Sequence, residues 1–264
     1  MKKISIFKSI FFASAGLVSS FTNADTLEVI SSGGFYSSME KLIPVFEQQT
    51  GHTVHLSSGS SMGASPTAIP NRLDRGERFD VVVLAAPELN KLADKGFVEP
   101  DSQRDLVKSS IGMAIPKGAQ KPDISTAEKF EKVLLNAKHI GYSASASGTH
   151  LEKNVFPSFP PVEYKVISSK AEKVVGDRVA KRIAEGQFDV GFQQISEIKP
   201  FTGKYGQVEL VGPIPAPYQK VTIFSAGIGK NTSYEKAANE LIQFVKSPQA
   251  THIIEEQGLE QIKQ

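Results

Sequence analysis

Hydrophobic positions along the chain switch repeatedly between the spacing of a strand and that of a helix. Residues 27–31 (LEVIS) form a short apolar run that predicts a strand, and Met39, Leu42, Ile43 and Phe46 then mark one face of a helix over 39–49, which Gly51 can close. The alternation continues with a strand over 53–57, a helix over 66–75, a strand over 79–85 (FDVVVLA) and a helix over 88–95 ended by Gly96. The run 79–85 is apolar on both faces, the pattern of a central parallel strand covered by helices on either side. A second series follows. Strands are predicted over 111–116, 139–142, 164–167, 188–192, 208–211 and 221–226, helices over 127–136, 151–155 and 173–184, and a closing helix over 234–246 leads into a short helical tail.

This alternation predicts an α/β chain of two lobes, each a mixed, mostly parallel sheet flanked by helices, with a ligand cleft between them. The expected division gives residues 25–108 and 231–264 to lobe one and 109–230 to lobe two. The stretch 203–219, rich in Gly and Pro, reads as a solvated connection.

The start of the chain has a different character. Lys2, Lys3 and Lys8 precede an apolar run from Ile10 to Val18, too short to span a bilayer, and Thr22-Asn23-Ala24 offers a small-x-small site. The reading is a signal peptide over 1–24, cleaved before Asp25, and a soluble protein in the bacterial periplasm. Its removal takes away three lysines and no acid, so 30 basic residues become 27 against 28 acidic ones. A near-neutral chain with no run of like charge has no footprint for a phosphate backbone, and nucleic acid is not an expected partner. Zero cysteines exclude disulfides, thiol catalysis and cysteine zinc sites. Nothing in the pattern demands more than a monomer.

Three segments share one layout, a strand followed by small and hydroxyl residues followed by a helix: 31–37 (SSGGFYS), 57–63 (SSGSSMG) and 143–150 (SASASGTH). Glycine lets the backbone approach a ligand, hydroxyls donate hydrogen bonds, and a helix start exposes unpaired N–H groups. Each loop can cradle an anion or simply cap its helix. The candidate binding residues are Gly33, Gly34, Phe35, Tyr36, Ser60, Ser61, Met62, Ser145, Ser147, Gly148 and Thr149, joined by Gln193 and Gln194 at the end of a buried strand. Glutamine amides can donate to a carboxylate without adding charge.

Nucleotide fingerprints are missing, and Gly59-Ser60-Ser61-Met62-Gly63 only imitates a nucleophile elbow around Ser61. The five histidines show no metal-ligand spacing. His150 alone follows an anion-cradling loop at a helix start, where the dipole favours the neutral imidazole, which makes it the candidate proton carrier. Tyr36, Glu40 and Glu152 are the alternatives. Arg72, Arg75 and Arg78 surround a helix end and read as solvated charges.

These segments, with 79–85 and GFQQISE over 191–197, resemble the periplasmic solute-binding proteins of the type II fold, in particular the molybdate-binding-like group. Departures are present: Gly33-Gly34-Phe35 stands where molybdate binders typically carry Ala-Ser-Leu, and Gln193-Gln194 where they usually place a tyrosine. The segments SSMGASPTAIPNRL, SASG and GFQQISE look instead like those of the aconitate isomerases built on this fold. That resemblance implies interconversion of trans- and cis-aconitate by an allylic proton shift, a tricarboxylate in the cleft and no metal or organic cofactor. The alternative it leaves is a receptor that delivers a small organic anion or a molybdate-like oxyanion to a membrane permease of the ABC type.

Overall fold

The computed structural model describes residues 24–263, so the expected signal peptide lies outside the described residues except for Ala24. Eleven strands are formed among the described residues: β1 (Thr26–Ser32), β2 (Thr53–Gly59), β3 (Val81–Ala85), β4 (Arg104–Ser109), β5 (Ile111–Pro116), β6 (Ile140–Ser143), β7 (Ala171–Val174), β8 (Val190–Gln194), β9 (Val208–Pro213), β10 (Thr222–Ile228) and β11 (Glu260–Gln261). They make two sheets, one in the order β11-β4-β10-β3-β1-β2 and one in the order β7-β6-β8-β5-β9. In each, the strands that carry loops to the cleft run parallel, β1 with β2 and β3 in the first and β6 with β7 and β8 in the second.

Each sheet is covered on both faces, as the doubly apolar strands require. Along β3, Val81, Val83 and Ala85 enter one cluster with Phe35, Met39, Leu42 and Phe46 of the helix Gly33–Thr50, while Val82 and Leu84 point to the other face and pack with Ile69, Leu73 and Leu89. In the second sheet Met113 and Phe192 pack with Phe130 and Leu134, and Ala114 packs with Val179, Ile183 and Ile198 on the opposite face. The helix Glu235–Lys246 returns to the first sheet and buries Ala237, Ala238, Leu241, Ile242 and Val245 against its core.

The chain crosses between the sheets at Ser110 and again over 214–221. Gln219 ties the crossings together, accepting from the Ile111 N–H at 2.8 Å and donating to the Ile111 carbonyl at 2.9 Å. Strand β10 pairs with β3 and β4, so the segment 222–228, grouped in sequence with lobe two, belongs to the first sheet. The Gly- and Pro-rich stretch contributes a strand, β9, and then this second crossing.

Two further elements differ from the sequence reading. Residues 164–167 are helical, within Pro161–Ser168, because Pro160-Pro161 start a helix; Val162, Tyr164 and Val166 are exposed on it and only Ile167 is buried. The neighbouring strand is instead β7, and the helix expected over 173–184 shrinks to Val179–Ala184, since Gly176 adopts a φ of +73° that breaks it.

Candidate functional site

The loops at the carboxyl ends of β1, β2, β6, β7 and β8 converge between the sheets, where ligands bind in open α/β folds. They enclose a cavity of about 470 Å³, within the range of small-molecule sites. Its wall from the first sheet is Gly33 and the segment around Ser58–Gly63 with Ser65 and Thr67, and its wall from the second is Ser143–Ser145, Gly176–Arg178, Lys181, Gln193, Glu197 and Phe201. The two walls touch at the rim. Thr149 Oγ1 donates to Met62 Sδ at 3.7 Å, and a Cβ added to Gly63 would meet the Ala144 carbonyl at 3.0 Å.

Of the residues singled out in sequence, Gly33, Ser60, Met62, Ser145 and Gln193 line this cavity. The others serve it from behind or lie elsewhere. Phe35 is wholly buried in the first core, and the Phe224 ring fills the space beside Gly34. Ser61 accepts from the Ala85 N–H at 3.1 Å in the buried interior, which is a structural bond rather than a nucleophile's exposure. Ser147 pairs with Ser143 at 2.9 Å, and Gly148 is pressed against the backbone of Ser143, where a side chain has no room. Gln194 is buried at the crossings, its amide donating to Thr222 Oγ1 at 3.0 Å.

His150 is not in the cavity wall. Its Nε2 donates to the Tyr218 carbonyl at 3.0 Å, and its Nδ1 accepts from Asn154 at 3.3 Å, so both nitrogens face away from the cleft. The helix start expected at His150 lies earlier, with Ser145 before the helix Ala146–His150, so His150 closes this helix rather than opening it and the dipole argument does not apply to it. Glu152 is engaged with Lys173 at 2.7 Å and Glu40 is exposed.

What the sequence reading missed is the charge in the cleft. Arg178 follows the Gly176 turn and packs its guanidinium 5.9 Å from the ring centroids of both Tyr36 and Phe201. The neighbouring Asp177 is paired with Lys181 at 3.2 Å and Arg182 at 3.0 Å, and among the described residues Arg178 itself forms no ion pair. It lines the cavity with its fork of donors unpaired, close enough to Glu197 for its charge to act on that carboxyl. Tyr36, read as a cleft wall, instead shapes the seat of this guanidinium.

Opposite the serine loop stands Glu197, on the short helix Ile195–Ile198 after β8, with 9% of its surface exposed. Its carboxyl packs against Gly33, and the adjacent Ser196 donates to the Gly34 carbonyl at 2.6 Å. Burial raises its pKa to about 7, against the lowering pull of the Arg178 charge and of hydrogen bonds from the Gln194 backbone and the Gln193 amide. The Gln193 carbonyl oxygen accepts from the Ala180 N–H at 3.0 Å, which turns its NH₂ toward the carboxyl. A capping-box spacing, Gln194 before Glu197, was the one local signal available for this residue. Among the described residues no group of three or more His, Cys, Asp or Glu is placed to hold a metal ion, and no helix is long and apolar enough to cross a membrane.

The chain is similar to known proteins over most of its length. An aconitate isomerase of Pseudomonas sp is 38% identical over 237 residues, 90% of this chain and 88% of that protein. Among solved structures, the periplasmic molybdate-binding protein of Azotobacter vinelandii superposes with a TM-score of 0.68 at 24% identity, covering 88% of this chain and 98% of its own. The sulfate-binding protein SubI of Mycobacterium tuberculosis H37Rv superposes with a TM-score of 0.70 at 16% identity, covering 89% and 86%. These likenesses establish the two-lobed fold of the type II periplasmic binding proteins. The bacterial extracellular solute-binding protein model matches residues 27–260, and the chain belongs to that family.

Proposed function

We propose that this protein is an aconitate isomerase, exported to the periplasm after cleavage before Asp25 and active as a monomer. The cleft binds a tricarboxylate, with Arg178 taking one carboxylate in a forked pair and the Ser145 hydroxyl and the loop N–H groups donating to the others, while the Ser60 hydroxyl holds its loop by donating to the Met62 carbonyl at 2.8 Å. Interconverting the trans and cis isomers requires moving one proton between the two allylic carbons while the conjugated carboxylates hold the displaced charge. No metal or organic cofactor is needed for such a shift.

The observation that carries this reading is an acidic side chain, Glu197, in the wall of a cleft otherwise furnished for an anion. A receptor for an anion does not require a carboxyl in its wall, because the ionised form repels the ligand in a desolvated site. An enzyme that moves a proton has a use for one. The 38% identity to the Pseudomonas sp isomerase supports the same reading.

The second reading is a receptor of an ABC-type transporter for a small anion, favoured by the folds of the molybdate- and sulfate-binding proteins. Incubating the purified mature chain with trans-aconitate and separating the products by chromatography decides between them. The isomerase produces cis-aconitate in catalytic excess over protein, and the receptor binds without producing it.

A further inference from the structure

Among the charged groups of the cavity, Asp177 and Lys181 are paired with each other, Asp177 with Arg182 as well, and Arg178 has no proton to give near neutral pH. That leaves one side chain able to accept and return a proton. We propose, resting on the isomerase reading, that Glu197 is the catalytic acid–base group and that its single carboxyl serves both ends of the allylic shift.

The geometry supports one group rather than two. Glu197 is held at the junction of the sheets, its backbone on the short helix Ile195–Ile198 and its carboxyl against Gly33 at the start of a helix from the other sheet. Ser196 fastens the junction through the Gly34 carbonyl. The strands beneath pack Gly112 and Leu210 on Ile195 and Ile198 of this helix. From the side, the Gln193 amide and Arg178 face the carboxyl, while Tyr36, on the opposite helix, faces Arg178 and Glu40 rather than a base of its own, its hydroxyl held protonated by burial. The carboxyl is thus fixed on one side of whatever fills the cavity.

The step balances with no co-reactant. The ionised carboxylate removes a proton from the methylene carbon of trans-aconitate, and the C–H electron pair becomes the new carbon–carbon double bond. The pair of the old double bond passes into the conjugated carboxylate, where Arg178 and the loop N–H groups stabilise it. It then takes the same proton back at the other allylic carbon, and Glu197 returns to its ionised state. A flat allylic system exposes both carbons on the same face, so one carboxyl on that side can serve them in turn. Desolvation suits the group for the exchange, because a carboxyl raised toward neutrality is a stronger base than an exposed one.

Glu197→Gln tests this directly, since it keeps the shape and one accepting oxygen and removes the proton acceptor. The expected result is a fall in kcat of about 10²- to 10⁴-fold with trans-aconitate binding retained or tightened, because the repelling charge is gone, and with Glu197→Asp recovering part of the rate. A residue that merely caps its helix would lose stability and binding together and leave kcat. In the wild type, kcat/KM should fall about tenfold per unit as pH drops below about 7, where Glu197 takes up its proton. Glu197→Gln retaining more than half of wild-type kcat overturns the assignment, and so does a wild-type kcat/KM that is flat between about pH 5 and 8, which decides the matter even if the variant fails to fold. A wild type that binds trans-aconitate and never turns it over overturns the isomerase reading itself, a result distinct from an active wild type with an active Glu197→Gln.

Discussion

The Glu197 carboxyl fills the space in which a Cβ on Gly33 would have to lie, so a residue after β8 in the second sheet and a residue after β1 in the first are fitted to each other across the cleft. Gly33→Ala therefore displaces the carboxyl rather than the backbone. The expected outcome is a fall in turnover of at least about tenfold, from misplacing a reacting group, with a loss of folding stability of about 1 to 3 kcal/mol from overpacking. Kinetics and thermal unfolding of the same variant measure both. Unchanged turnover would mean that the carboxyl has freedom the structure does not give it.

Arg178 stands in the cavity without an ion pair among the described residues, so its removal costs the protein little and the ligand much. Arg178→Ala should raise KM for trans-aconitate about 10- to 100-fold, the equivalent of a lost charge-assisted bond of roughly 1.5 to 3 kcal/mol, with a melting temperature close to wild type. Arg178→Lys restores the charge but not the fork and should recover only part of the affinity.

Ser61 makes the opposite pattern. Its hydroxyl is the acceptor for the buried Ala85 N–H. Ser61→Ala leaves that donor unpaired and should cost about 1 to 3 kcal/mol in stability while sparing kcat, measured by denaturant unfolding alongside turnover. A variant that folds as well as wild type but loses all activity would point back to a serine nucleophile.

Stability should carry a signature of Glu197 in pH. Its folded pKa is about 7 against an ordinary 4.5, so between these values the folded state holds a proton that the unfolded chain releases. Stability is therefore greatest below about 4.5 on account of this group and is lost as pH rises through about 7, by roughly 3 kcal/mol. The neutral Glu197→Gln variant should melt above wild type at pH 8, with the gap closing toward pH 5. A gap equal at both pH values would mean that the carboxyl is ionised throughout.

The alternation of periods carried the fold. The helical face at Met39, Leu42, Ile43 and Phe46 and the doubly apolar strand β3 are read from spacing alone because their burial repeats with the local geometry. Strand β4 was not, since in RDLVKS only Leu106, Val107 and Ser109 are buried and the charged residues mask the run. The Ser and Gly loops were legible as a group, and the structure brings Ser60 and Ser145 to one cavity. Arg178 and Glu197 were not, because each gains its role from packing across the sheets: Ser196 meets Gly34 from 162 residues away, and no local pattern encodes that contact. His150 shows the converse, a position favourable in sequence whose ring is claimed by Tyr218.

An isomerase cleft catalyses the interconversion, whereas a receptor cleft stores one isomer. The most direct measurement starts two reactions with the purified mature chain, one from trans-aconitate and one from cis-aconitate, and follows both by proton NMR in one buffer. A catalyst for a single reversible step must bring both to the same isomer ratio, and that convergence is the expected result, at a rate proportional to protein concentration. Two mixtures that stay at their starting compositions, while either isomer raises the melting temperature of the protein, would contradict it and leave a binding protein.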